Sequence, residues 1–128
     1  MILGVLRFLL TFIIISFCFS LHCEPTEVRL AEIQILDKIT AKVQTYEILN
    51  NKNLRVGSLN IEVFACFTTP PEEIPEDYVL IRIYDEMNTE DDQLIYQGWM
   101  ISSSPASTPL EHPIYDLWLK DCKMETDF

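Results

Sequence analysis

Residues 54–67, LRVGSLNIEVFACF, decide the fold of this chain. From residue 59 onward every second residue is apolar. The residues that would share one face of an extended chain are Leu59, Ile61, Val63, Ala65 and Phe67. This period of two is typical of a β-strand with one face against a core. Gly57 interrupts the start of the segment, which predicts a bulge or a tight turn there.

Segments on both sides of this strand have the same character. Alternating or β-branched segments precede it at 31–38 and 40–49, and others follow it at 78–86, 93–102 and 111–122. Polar turns and a proline-rich acidic loop separate these segments. Segment 93–102 is apolar on both faces, which predicts a central or covered strand. The sequence predicts an all-β domain of six or seven short, mainly antiparallel strands, either a small sandwich or a partly open barrel.

The N-terminus differs from the rest of the chain. Residues 8–19 form an apolar run between Arg7 and Ser20. That length suits a signal-peptide core, whereas a membrane-spanning helix needs roughly 20 apolar residues. We expect export, with cleavage after Ser20; an uncleaved anchor is the alternative. The expected division of the chain is a signal peptide at 1–20, a flexible segment at 21–30, the β-domain at 31–123 and a tail at 124–128.

The charge of the chain limits its partners. Twenty acidic residues stand against nine basic ones, for a net charge of −11. Such a chain is repelled by nucleic-acid phosphates and by anionic membrane surfaces, so no nucleic acid is expected as a partner. Membrane contact is expected only through an uncleaved signal or, less favoured, a lipid on Cys23. A lipoprotein signal has a small residue before the cysteine, and His22 stands there.

The cysteines indicate one disulfide. Of the four cysteines in the chain, Cys23, Cys66 and Cys122 follow the expected cleavage position. Cys66 and Cys122 each end a strand-like run, and in an oxidising compartment they are expected to pair. Cys23 is then left as an odd thiol.

Residues 111–122, EHPIYDLWLKDC, include the strongest candidate for a catalytic residue, His112. Pro113 favours an extended conformation at His112, and on a strand about 13 Å would separate His112 from Asp116, which rules out a dyad. A hydrolase that used His112 with a serine from 102–104 would lack the G-x-S-x-G nucleophile elbow. The two acidic loops, at 68–77 and 87–92, lack the acidic residues at fixed spacing and the glycine of a calcium-binding loop. We therefore expect no catalytic residue, no metal site and no cofactor.

The aromatic residues suggest binding. Trp99 and Trp118 fall in successive C-terminal strands, and exposed aromatics can grip a protein or stack on a sugar. A core role for Trp99, with Trp118 covering the disulfide, is an equally good reading, and Tyr115 falls on the expected inward face of the last strand. The candidates for a partner or ligand surface are Trp99, Trp118, Ser102, Ser103, Ser104, Glu111, His112 and Tyr115.

Three stretches carry a family resemblance: LDKITAKV at 36–43, GSLNIEVFACFTTPPEE at 57–73 and GWMISSSPASTPLEHPIYDLWLKDC at 98–122. Together they resemble the domain of unknown function 2155 family, small exported proteins found mostly in alphaproteobacteria. One departure is Ala41, where we expect the family to have glycine, so the turn there is expected to differ. The resemblance implies a periplasmic location, one compact domain and a Cys66–Cys122 pair, and it implies no activity, cofactor or catalytic residue.

The residues and the resemblance together predict a non-catalytic binding or accessory module of the bacterial envelope. Its expected partner is an envelope protein. Recognition of an envelope glycan, such as peptidoglycan, by exposed aromatics is the alternative, and a hydrolase that uses His112 is less favoured.

Overall fold

The computed structural model describes residues 1–17, 24–87 and 93–124. These described residues form one helix and eight strands: α1 (Ile2–Phe17), β1 (Thr26–Val28), β2 (Leu30–Asp37), β3 (Lys42–Leu49), β4 (Lys52–Val56), β5 (Leu59–Thr68), β6 (Asp77–Asp85), β7 (Gln93–Ile101) and β8 (Tyr115–Lys123). A 3₁₀ turn, Pro105–Ser107, lies in the loop between β7 and β8. The expected cleavage position after Ser20, the odd Cys23 and most of the C-terminal tail fall outside the described residues. In the described ranges, no helix has the length and apolar character that a membrane span requires.

The strands form two antiparallel sheets. Sheet A has the order β1-β5-β6-β7. Strand β4 also pairs with β5, along the first half of β5, whereas β1 pairs with its last three residues. Sheet B has the order β3-β2-β8. The predicted all-β class is confirmed, and the two packed sheets form a sandwich and not a closed barrel.

The core lies between the sheets and is built from alternate strand residues. Ile61 on β5, Ile81 on β6 and Ile33 on β2 have no exposed surface. Cys66 of β5 and Cys122 of β8 are joined by a disulfide that links sheet A to sheet B. The predicted disulfide is thus confirmed.

Alternation along β5 is interrupted by a β-bulge between Val63 and Ala65. The extra residue lets both Val63 and Cys66 face the core, although three steps along the chain separate them. The predicted face of residues 59–67 is therefore right as far as Val63 and wrong for Ala65 and Phe67, which lie on the other side of sheet A.

Of the bulge or tight turn predicted at Gly57, the structure shows the turn, which divides the strand predicted at 54–67 into β4 and β5. The structure corrects two further expectations. Residues 26–28, expected to be flexible, form β1, because pairing with β5 ties them down and buries Val28. Strand β7 was expected to be central or covered, but it lies at the edge of sheet A. Its inner-face residues are covered by the facing sheet, whereas Trp99 on its outer face is exposed.

The turn between β2 and β3 contains Ala41, the position at which the resemblance predicts glycine. Ala41 has a φ of 56°, a left-handed conformation that favours glycine. The Asp37 carboxylate supports the turn by accepting hydrogen bonds from the backbone N–H groups of Ile39 at 2.8 Å and Thr40 at 3.1 Å. The turn therefore keeps a conformation suited to glycine although alanine occupies it.

Candidate binding surfaces

The outer face of sheet A, which points away from sheet B, carries a cluster of aromatic side chains. Leu80 lies opposite Trp99, and the centroid of the Trp99 ring is 5.8 Å from that of Phe67. The Arg82 guanidinium lies 4.9 Å from the centroid of the Phe64 ring, a cation–π contact. Trp99 is 45% exposed. We call Phe64, Phe67, Leu80, Arg82 and Trp99 the aromatic face.

Polar contacts fix the geometry of the aromatic face. Arg82 Nε donates to Gln97 Oε1 on β7 at 3.3 Å, and its Nη1 lies 3.6 Å from a Glu62 carboxylate oxygen on β5. These contacts hold the arginine across three strands. The Tyr96 hydroxyl donates to the Trp99 carbonyl at 2.9 Å and so braces the edge strand next to the tryptophan. These contacts connect the aromatic face to polar groups of β5 and β7.

Trp118 lies far from this face in the fold. It alternates with the buried Leu117 and Leu119 and therefore projects from the outer face of sheet B. Its indole N–H donates to Gln34 Oε1 on β2 at 2.9 Å. The two tryptophans thus lie on opposite faces of the sandwich and do not form one surface.

The serine loop after β7 is organised around one carboxylate. The hydroxyls of Ser102 and Ser103 both donate to Glu76, which precedes β6, and the backbone N–H of Ser103 donates to it at 3.0 Å. Burial alone would raise the pKa of Glu76, but these hydrogen bonds outweigh burial and lower it. Ser104 and Glu111 are exposed, and the Ser104 carbonyl accepts a hydrogen bond from the N–H of Ser107. Ser102 and Ser103 therefore tie the loop to the sheet.

His112 is buried, with a side chain 2% exposed. Its Nδ1 accepts hydrogen bonds from the backbone N–H groups of Ile114 and Tyr115, each at 3.1 Å. This arrangement assigns the ring proton to Nε2, which donates to Asp85 Oδ2 at 3.1 Å. The Tyr115 ring stacks on the imidazole with centroids 5.4 Å apart. Both ring nitrogens are thus occupied by structural partners.

Asp85 is the acid that pairs with His112, at the end of β6. Burial raises the pKa of the Asp85 carboxyl, but hydrogen bonds from His112 and from the backbone N–H of Met87 outweigh burial, and the net shift is downward. The carboxylate therefore stays ionised and holds the imidazole in one tautomer. This histidine–aspartate pair joins the segment before β8 to sheet A, and the sequence offered no local signal for it.

A cleft that the sequence did not predict lies between β3 and β4. The two strands are joined by a turn at Asn50 and Asn51, yet β3 pairs into sheet B and β4 into sheet A. The strands therefore diverge, and the sandwich opens into a cleft of about 370 Å³. Its lining includes Lys42, Gln44, Tyr46, Arg55, Gly57 and Tyr115. The lining residues face one opening because β3 and β4, which are neighbours in the chain, belong to different sheets.

Gly57 and Tyr115, two lining residues of this cleft, lie close to each other. Gly57 has a φ of 58°, and a Cβ at this position would lie 2.0 Å from the Tyr115 hydroxyl. Any larger residue would collide with the phenol, so the glycine allows β8 to reach the turn before β5. Over residues 1–17, 24–87 and 93–124, no group of three or more histidine, cysteine or acidic side chains could hold a metal ion.

Comparison with known proteins bears on the whole β-domain. A family model for uncharacterized proteins conserved in bacteria, domain of unknown function 2155, matches residues 31–122. An uncharacterized protein of Rickettsia prowazekii (strain Madrid E) is 33% identical over 91 residues, which are 71% of this chain and 59% of that protein. The chain therefore matches less than two thirds of that relative's length. No solved structure matches. The matched range runs from the start of β2 nearly to the end of β8, and the chain belongs to the domain of unknown function 2155 family.

Proposed function

We propose that this protein is a non-catalytic binding module of the bacterial envelope, and that its aromatic face binds a protein partner. The observation that carries the proposal is the exposed Trp99 ring, held against Phe67 on the outer side of a sheet. Tryptophan, other aromatics and arginine are the residues that dominate the binding energy of protein interfaces.

The position of these residues argues for binding over packing. The outer face of an antiparallel sheet in a small sandwich is normally polar, because only the inner face meets the core. Here the core of the described domain lies on the opposite side of sheet A, so Phe64, Phe67 and Trp99 contribute little to it. A cluster of this kind, rimmed by polar residues, marks an interaction site.

The charge of the chain specifies the partner's chemistry. The net charge is −11, and Glu62 and Glu27 lie beside the aromatic face, Glu62 paired with Arg82 and Glu27 opposite Phe67. A partner that offers an apolar patch bordered by lysine and arginine would match both the rings and the carboxylates. Such complementarity speeds association and rejects acidic partners.

Three further observations support the other parts of the proposal. Both nitrogens of His112 have structural hydrogen-bond partners, so a general base at this position would first have to break the fold around β8. The Cys66–Cys122 disulfide suits an oxidising compartment such as the periplasm. The apolar segment before residue 20 suits export.

The experiment is in-cell crosslinking from the aromatic face. A photoreactive residue replaces the exposed Gln97 of β7, and in the control it replaces the exposed Thr45 of β3 on the opposite side of the sandwich. The expected product is one dominant protein with a basic surface, captured from position 97, not from position 45, and lost when the Trp99→Ala change is added.

Binding of the purified partner then gives the magnitude. Trp99→Ala should weaken binding about 30-fold or more, which corresponds to the roughly 2 kcal/mol of a hot-spot residue. Trp118→Ala, the same deletion on the opposite face, should leave the affinity unchanged. A partner held equally by the Trp99→Ala variant would contradict the proposal. Capture of glycan alone, with tryptophan fluorescence quenched by peptidoglycan fragments, would instead favour glycan recognition.

A further inference from the structure

Strand β7 lies at the edge of sheet A and lacks the side chains that keep an edge strand from pairing with another chain. It is hydrogen-bonded to β6 and ends the strand order of the sheet. Its sequence, QLIYQGWMI, contains no charged residue and no proline, whereas each of β1 to β6 and β8 contains at least one charged residue. Charged side chains and prolines are the usual protection of an edge strand. The edge of β7 is therefore unprotected by these means.

The hydrogen-bond ladder shows which backbone groups face the edge. The N–H of Ser102 donates to the carbonyl of Asp77 at 3.0 Å and continues the pairing of β6 with β7. In an antiparallel ladder, residues whose N–H and C=O face the neighbouring strand alternate with residues whose groups face away from it. Gly98, four residues before Ser102, therefore faces β6, and the backbone groups of Gln97 and Trp99 point out of the sheet.

One of these outward groups is occupied within the single chain. The Tyr96 hydroxyl donates to the Trp99 carbonyl at 2.9 Å. In the described part of the chain, no other hydrogen bond reaches the outward backbone groups of Gln97 and Trp99. Both side chains are exposed. The complement of such an edge is the backbone of another extended strand.

We propose that β7 pairs with β7 of a second copy of this chain, antiparallel and with two-fold symmetry. Outward groups must meet outward groups, so Gln97 of each copy lies opposite Trp99 of the other copy. Each of these pairs exchanges both of its N–H···O=C hydrogen bonds. The N–H of Gln97 then takes the place of the Tyr96 hydroxyl at the Trp99 carbonyl of the other copy.

Gly98 lies on the two-fold axis of this arrangement. Opposed residues that exchange no hydrogen bond are the closest pairs of an antiparallel ladder, with Cα atoms about 4.5 Å apart. The two copies of Gly98 form such a pair, and they have no side chains to collide. The next such pairs place Tyr96 opposite Met100 of the other copy. On the outer side of the sheet, Trp99 lies beside Gln97 of the other copy, so the two aromatic faces become one continuous surface.

The charge of the chain favours a second copy at this edge. Each copy has a net charge of −11, so two copies repel each other wherever acidic surfaces meet. None of the opposed pairs on β7 contains a charged residue. The edge strand of sheet B, β3, instead carries Lys42 and Glu47. The pairing uses backbone groups of β7, and it does not depend on the envelope partner proposed for the aromatic face.

Sedimentation equilibrium of the purified protein tests the pairing. A contact between two edge strands is small, so we expect a dimer with a dissociation constant of about 100 μM. Raising the salt concentration should strengthen the dimer, because salt screens the repulsion between two acidic chains and the contact itself contains no ion pair.

Two substitutions at one position separate the backbone from the side chain. Gln97→Pro removes an outward N–H and no hydrogen bond to β6, and it should weaken the dimer about 30-fold, the effect of one lost hydrogen bond from each copy. Gln97→Ala is the matched control, since it removes the side chain and keeps the N–H, and it should leave the dissociation constant unchanged.

A third substitution should act in the opposite direction. Tyr96→Phe removes the hydroxyl that competes for the Trp99 carbonyl, so the dimer should become about tenfold tighter or more. A role of Tyr96 in packing alone would not strengthen the dimer. Circular dichroism shows whether each variant is folded, and if Gln97→Pro does not fold, the Tyr96→Phe variant and the salt dependence still decide.

Three results would overturn the proposal. The first is a single chain at all concentrations up to about 1 mM, both in the unmodified protein and in the Tyr96→Phe variant. The second is equal weakening by Gln97→Ala and Gln97→Pro, which would assign the contact to the side chain. The third is a dimer that weakens as salt is added, which would point to ion pairs on another surface.

Discussion

Replacing His112 by alanine tests whether this histidine is a structural or a chemical residue. The substitution removes three hydrogen bonds in a side-chain site that is 2% exposed. Two backbone N–H groups, those of Ile114 and Tyr115, lose their acceptor, and the Asp85 carboxylate loses a donor. With about 1 kcal/mol for each backbone group and roughly 1.5–3 kcal/mol for the charged acceptor, the expected cost is about 3.5–5 kcal/mol of unfolding free energy.

The His112→Asn variant separates the contribution of the two backbone hydrogen bonds at Nδ1 from that of the hydrogen bond to Asp85. The Asn side-chain oxygen occupies nearly the position of Nδ1 and can still accept from the two backbone N–H groups, whereas the bond to Asp85 is lost. Its expected cost is about half that of the alanine variant. Urea denaturation of oxidised protein, followed by tryptophan fluorescence, measures both values.

Either of two results would contradict a structural role for His112. A loss of less than about 1 kcal/mol for His112→Ala would mean that the three hydrogen bonds are not made in solution. An asparagine variant as unstable as the alanine variant would mean that acceptance at Nδ1 has no structural role. Enzymatic activity that His112→Asn abolishes while stability is unchanged would restore the hydrolase alternative.

Three further predictions concern stability. Cys66→Ser opens a covalent loop with a sequence separation of 56 and should lower the unfolding free energy by about 4 kcal/mol. Equal melting temperatures of the unmodified protein with and without reductant would contradict this prediction. Ala41→Gly relieves a left-handed backbone with a φ of 56° and should raise the unfolding free energy by about 1 kcal/mol in urea denaturation; a loss of stability would show that the turn is not strained. Burial and the neighbouring Asp121 carboxylate raise the pKa of Asp77, so the contribution of Asp77 to stability is complete below the ordinary carboxyl range and is lost as the pH rises through its folded pKa. Asp121→Asn should therefore gain stability relative to the unmodified protein as the pH rises toward neutrality, and a difference independent of pH would refute this.

The sequence predicted the fold class because alternation is a local property. The apolar positions from Leu59 to Val63 were enough to identify β5, and Cys66 and Cys122 were paired correctly from their places at the ends of strands. The alternation did not reveal the bulge after Val63, because a bulge depends on the register with β6. For the same reason the face occupied by Phe67 was predicted wrongly.

The candidate site was less predictable, since it depends on contacts between distant segments. The rejection of an His112–Asp116 dyad was based on strand spacing, and the structure supplies a different partner, Asp85, on another strand. Trp99 and Trp118 follow each other in successive strands, yet these strands belong to different sheets. Local sequence indicates which residues of a regular, unbulged stretch share a face, but it does not indicate the sheet to which the strand belongs.

The two ends of the sandwich are closed by different means. Cys66 and Cys122 join the sheets covalently near the ends of β5 and β8, whereas the Gly57–Tyr115 contact and the His112–Asp85 hydrogen bond join them without a covalent link near their beginnings. Nine residues of extended chain, about 30 Å, separate Gly57 from Cys66. Transient separation of the sheets should therefore start at the cleft, with amide hydrogen exchange there running ahead of global unfolding. Because the disulfide holds the far end, we expect that opening to be a hinged motion, in which the cleft widens while the end at Cys66 and Cys122 keeps its shape.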